Sequence, residues 1–182
     1  MAELADISKA PSNNMGGTSQ NFWLAKVDDL DWDAVGAATP PSSDGVTVAA
    51  RTAWTGNFIP KVGKGFAKFN GTYNMGGATA ESQGEYDGKS FLAKVPIHVA
   101  GTQDDLLDFL NTHRHGDFVL IYEDKEGVRY AHGTPVNPVK VGDGTLLNFG
   151  ENAAAKKGAV LAFEANSNYA HAKYAGAIDL IP

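Results

Sequence analysis

Histidines and carboxylates are the side chains here whose types and spacing could do chemistry, and each group has a competing explanation in local structure. His113 and His115 flank Arg114 in the run Thr-His-Arg-His-Gly. A metal site there needs a third ligand, such as His132 or an acid. The pair also sits at the end of an expected helix, where the dipole alone favours histidine. Asp28, Asp29, Asp31 and Asp33 would suit calcium, but the EF-hand spacing, with its glycine and distal glutamate, is missing. They read instead as an acidic turn. Serine nucleophile chemistry needs a strained elbow, and no G-x-S-x-G occurs. Neither phosphate-binding glycine motif is present. Paired carboxylates for sugar hydrolysis are a spatial matter, and no pair stands out in the sequence.

Composition narrows the classes further. The chain has 182 residues and 43% hydrophobic content, enough for one domain with a real core. It has no cysteine, which excludes disulfide scaffolds, thiolate metal sites and cysteine nucleophiles. The net charge of −6 argues against a protein whose main work is gripping nucleic-acid phosphates. No run approaches a membrane span, and the first residues lack an apolar core of signal-peptide length. No cofactor is expected.

The elements that must position these residues are mostly strands. Residues 1–20 are polar and small, and read as an arm. An arm of this kind is expected to be held by a partner subunit, since an isolated polar segment rarely offsets its own ordering entropy. Residues 21–182 form the single domain. Asn21 to Val27 reads as a strand, and Val46 to Trp54 as a second strand region after the Pro40-Pro41 loop. Residues 71–89 are Gly-rich, too polar for core, and read as a long loop.

Ser90 to Ala100 alternates, with Phe91, Ala93, Val95, Ile97 and Val99 on one side and Lys94 and His98 on the other. Pro96 points to an edge position or a bulge. A short helix follows, with Thr102 and Asp105 as a capping-box variant and Leu106, Phe109 and Leu110 as its apolar stripe. Gly116 is placed to end it in the left-handed conformation. Phe118 to Tyr122 is apolar on both faces and predicts a covered central strand. A hairpin turn at 123–127, short strands at 136–141 and 145–149, and closing strands at 159–165 and 169–181 complete the chain. The expected fold is mainly β: a β-sandwich or barrel of two packed antiparallel sheets, with one flanking short α-helix, an extended N-terminal arm and a long loop.

Charge is unevenly placed. Residues 1–50 hold seven acids and two bases, and residues 51–100 hold three acids and six bases. Beside solvated faces, this predicts head-to-tail complementarity, with Lys61, Lys64 and Lys68 of one copy meeting acidic surface on another.

The order of elements resembles the major tail tube proteins of tailed bacteriophages. The features that carry it run through most of the chain. An arm with Asn14-Met15-Gly16-Gly17 leads into a strand ending Val27-Asp28-Asp29. A strand ending Val99-Ala100-Gly101-Thr102 precedes the short helix, and Asp117 to Ile121 opens a hairpin carrying Gly127 and Gly133. Tyr174 to Ile178 closes the chain. The resemblance implies stacked hexameric rings whose inner strands join into one barrel. Genomic DNA would pass through the lumen without specific binding. Other tail proteins would be partners, the protein would be made in the host cytoplasm, and it would reside in the virion tail. It implies no enzyme activity and no membrane. Self-assembly candidates are Lys61, Lys64 and Lys68, Tyr73 and Tyr86 in the long loop, and Asp28, Asp29 and Asp31 in the acidic turn. Two other readings stand beside it. One is a capsid decoration or head-tail connector protein. The other is a soluble β-sandwich ligand-binding module or hydrolase, with a cleft around His113, His115 and His132.

Overall fold

The computed structural model describes residues 17–72, 76–85, 88–149 and 157–181. Two antiparallel sheets pack face to face, five strands in each. The first is built around β1 (Thr18–Lys26) and β5 (Phe118–Asp124), which pair from Phe22↔Tyr122 to Lys26↔Phe118. On one flank β6 (Arg129–His132) follows β5 through a tight hairpin, and β10 (Ala172–Lys173) adds the edge. On the other, β2 (Ala67–Asn70) pairs with β1. The second sheet is built on one long pair, β4 (Ser90–Ala100) and β9 (Gly158–Ser167). Here β3 (Thr79–Gln83) flanks β4, while β7 (Lys140–Val141) and β8 (Leu146–Asn148) flank β9.

The alternation in β4 makes the sandwich. Ala93, Val95 and Ile97 turn inward against Leu161 and Phe163 of β9 and against Phe22, Leu24, Phe118 and Leu120 of the first sheet. Each large side chain buried this way contributes about 1.5–3 kcal/mol. Helix α2 (Asp104–His113) closes one end of that core through Leu106 and Phe109. The Phe109 ring lies 5.3 Å from Phe69 and 5.9 Å from Phe118. Leu110 packs partly buried beside them, completing the expected stripe.

A second core covers the outer face of the first sheet. Val119 and Ile121 of β5, with Ala25, Ala131 and Ala172, support Trp54, Phe58, Phe66 and Tyr174. Phe58 is the hub, with ring centroids 4.9 Å from both Trp54 and Tyr174. The expected run at Phe118 to Tyr122 is therefore buried on both faces, as a central strand requires. Gly133 is needed where β6 ends: its φ is +109°, and a Cβ there would lie 2.4 Å from the Phe118 carbonyl oxygen. That close passage lets the chain leave the first sheet, pair Val139 with Phe118, and enter the second sheet as β7.

Several expectations are corrected. Val46 to Trp54 is not a strand region: Val48–Thr52 is a short helix, α1, capped by Thr47, whose hydroxyl accepts from the Ala50 amide. Side-chain capping competes locally with the extended form that the β-branched residues favour. With the 3-10 turn at Val27–Asp29, the chain has more than one helical element. The 71–89 segment contains β3, which gains its stability from pairing with β4 and not from apolar content. Thr102 does not cap α2. Gln103 holds the N-cap position, its side chain donating to the Ala100 carbonyl in place of a capping bond. Gly116 is not left-handed. It is small because a Cβ there would sit 2.5 Å from the Phe118 ring. The closing strand at 169–181 reduces to β10 and isolated bridges. The first strand begins at Thr18, so residues 18–20 belong to the domain and not to the arm.

Pro96 is placed as its chemistry demands. The β3 pairing ends at Lys94, and the next donor on that side is the Thr72 amide, bonded to the His98 carbonyl. The missing N–H of Pro96 falls in the gap between them.

Candidate functional site

The lysines and aspartates singled out from charge are largely joined within one chain. The 3-10 turn after β1 presents Asp28 and Asp29, and the turn at Lys61–Lys64 folds back onto it. Lys61 donates through its Nζ to the Asp28 carbonyl at 2.7 Å and through its amide to the Asp29 carbonyl at 2.9 Å. Lys64 pairs with Asp29 at 3.3 Å. Asp31 accepts from the Asp33 amide, a local turn bond. Lys68 stands apart: it lies on β2 opposite Trp23 and makes no ion pair among the described residues. It lines a groove of about 510 Å3 between β2 and α2, together with Phe69, Asp105, Asp108, Phe109 and His113. Tyr73 and Tyr86 lie outside the described residues.

The outer face of the second sheet is left uncovered by other described elements. Register places Glu81 and Leu92 side by side, and Lys94, Glu164 and Lys140 in one row across three strands. Lys94 reaches Glu81 at 3.6 Å. Beyond that row the face turns apolar, with Pro96 against Ala162 and His98 against Val160, which pairs with the exposed Leu146. Among the described residues the sheet also ends in a free edge at β3. Backbone direction alternates along a strand, and the His98 carbonyl points away from β9. The same parity turns the amides of Ala80 and Ser82 away from β4, toward that free edge.

The most perturbed titratable groups are elsewhere, and sequence reasoning singled out only one of them. His132 on β6 is 1% exposed. Its neighbours are Tyr122, Tyr169 and His171, and none of these is on α2. Burial, with the His171 charge as a smaller contribution, pushes its pKa down to about 3. Burial also lowers His171 and raises Tyr122, Tyr130 and Tyr169. His113 and His115 are not brought to this cluster. His113 packs on Phe109, and His115 accepts from the Arg114 side chain. The alternation in Val128 to His132 placed Tyr130 and His132 on one face, but no local signal ties them to His171, thirty-nine residues further on.

Among the described residues no group of three or more His, Cys, Asp or Glu side chains converges as a metal site would require. No helix among them is long and apolar enough to cross a membrane. Comparison with protein-family models, with curated proteins and with solved structures finds no match.

Proposed function

We propose that this chain is a virion structural protein, a tail tube subunit that assembles into stacked hexameric rings around a DNA conduit. The observation that carries the reading is the asymmetry of the two sheets. One is sealed on both faces by the chain's own cores, while among the described residues the other keeps an open outer face and a free edge at β3. In the tube, β3 pairs with a neighbouring copy and the open face of the second sheet turns toward the lumen. Inter-subunit pairing of this kind closes a barrel and removes the unpaired edge. The row of Lys94, Glu164 and Lys140, with Glu81 reaching Lys94 from the next position, gives DNA no continuous basic track, so it would slide and not bind. Lys61 and Lys64 support the fold through Asp28 and Asp29, which leaves Lys68 as the lysine for contacts between copies.

Electron microscopy of the purified protein tests this. Hollow tubes or sixfold rings are expected. A monodisperse monomer at high concentration would count against the reading, and threefold or lower-order contacts would favour a decoration or connector protein.

A further inference from the structure

Where β9 hands the chain to β10, five rings meet at the open side of the sandwich. Tyr122 comes from β5, Tyr130 and His132 from β6, and Tyr169 and His171 from the crossing segment. His132 stacks between Tyr122 and Tyr169, at 5° and 19° between planes. His171 stands nearly upright to Tyr122 and His132, at 84° and 79°. Its Nδ1 lies 2.6 Å from the Tyr122 hydroxyl and 3.1 Å from His132 Nε2. With both imidazoles neutral, the arrangement that leaves no His132 N–H buried without a partner makes His171 the acceptor, its single Nδ1 lone pair shared between two donors. Its Nδ1 is bare and accepts from both the phenol and the Nε2–H of His132. His132 is then the neutral Nε2–H tautomer, and its buried Nδ1 has no partner.

We propose that this cluster is an acid-sensitive latch, holding the crossing segment and β10 against β5 and β6 while His171 is neutral and releasing them when His171 takes a proton at Nδ1. Protonation turns the shared acceptor into a donor that faces two donors. Tyr122 can rotate its hydroxyl and accept. His132 can accept only by moving its own proton to Nδ1, where no acceptor waits, and a buried donor without a partner is costly. Among the described residues no carboxylate hydrogen-bonds or ion-pairs with His171. Asp124 of β5 is the acid on this side, and its Oδ1 already accepts the Glu126 and Val128 amides while Oδ2 accepts the Tyr130 hydroxyl. Lys173, the next cation along β10, is exposed.

The remaining fastenings of the segment do not titrate in the same range. They include the β10–β6 pairing, the Ser167 hydroxyl to the Tyr169 carbonyl, the Trp54 amide to the Lys173 carbonyl, the Tyr174 amide to the Arg129 carbonyl, the Tyr174 hydroxyl, and the Arg129 side chain to the Gly176 carbonyl. The sign follows from the lowered histidine: the latch is fully closed above the ordinary histidine pKa of about 6.5 and opens as pH falls below it. Opening uncovers the β6 edge and the apolar surface under Trp54.

Hydrogen exchange by mass spectrometry on the full chain, corrected for the intrinsic pH dependence of exchange, tests the latch. Between pH 7 and pH 5, exchange in residues 169–175 should rise at least tenfold relative to β4 and β9. His171→Asn, whose carboxamide oxygen can take the place of Nδ1 without titrating, should abolish that rise. A rise that persists in the variant overturns the proposal, and so does one spread evenly over both sheets or no rise at all. Should the variant fail to fold, an NMR titration of the wild-type imidazoles decides. The exchange rise must set in near the ordinary histidine pKa and level off at the His171 midpoint, and a rise confined to another pH range overturns the latch.

Discussion

The two long strand pairs of this protein, β1 with β5 and β4 with β9, have similar geometry and opposite surroundings. Val119, Leu120, Ile121 and Tyr122 of β5 are all buried, because one set of side chains faces the other sheet and the other set lies under Trp54, Phe58 and Tyr174. Along β4 only every second residue is buried, and Lys94, Pro96 and His98 are left on an uncovered face. The chain devotes the segments between β1 and β2, and after β10, to sealing one sheet. It devotes nothing among the described residues to sealing the other. A sheet that the monomer leaves open is the natural place for contacts outside it.

Truncating the seal should have the largest effect. Phe58→Ala removes the hub of the outer core and should cost about 3–5 kcal/mol, close to the cost of Phe163→Ala between the sheets. Urea denaturation of both variants checks this. A loss below about 1 kcal/mol for Phe58→Ala would show the outer core to be a loose cover and would break the comparison.

Removing one oxygen from the same core sharpens it. The Tyr174 hydroxyl accepts the Phe58 amide at 3.1 Å and donates to the Ala177 carbonyl at 2.7 Å. Tyr174→Phe leaves a buried donor unsatisfied and should cost about 1–3 kcal/mol. Global stability should also respond to pH through the first sheet. His132 has a folded pKa of about 3, below its unfolded value, so its contribution is complete above the ordinary histidine range and declines as pH falls toward 3. Denaturation midpoints at pH 7 and pH 5 should differ in wild type, and the difference should shrink in His132→Phe.

The open sheet should behave in the opposite way. Lys94→Ala, at the partly exposed Lys94–Glu81 pair, should change stability by no more than about 0.5 kcal/mol. A substantially larger loss by urea denaturation would mean that this face does structural work inside the monomer.

How much was legible in the sequence follows the same division. The alternation in Ser90 to Ala100 and the unbroken apolar run at Phe118 to Tyr122 report directly on one covered face against two, so both sheets could be anticipated. The apolar stripe of α2 is likewise a local pattern. What escaped was set by distant contacts. β3 is a polar segment made a strand by its register with β4. α1 is capped by the Thr47 hydroxyl among β-branched neighbours that favour the extended form. The charges at Asp29 and Lys64 were legible as complementary, but a sequence does not say whether complementary charges meet within a chain or between chains. His171 shows no periodicity with His132, because a corner of the sandwich brings them together and not a shared strand.

The central claim is that β3 is the edge through which copies join. Ser82→Pro tests it most directly. Ser82 is exposed, and its amide points away from β4, so a proline there removes a donor that no described residue of the monomer accepts from. Sedimentation velocity of the variant beside wild type should show rings or tubes for wild type and a folded monomer with an unchanged denaturation midpoint for Ser82→Pro. Assemblies of undiminished size in the variant would contradict the account.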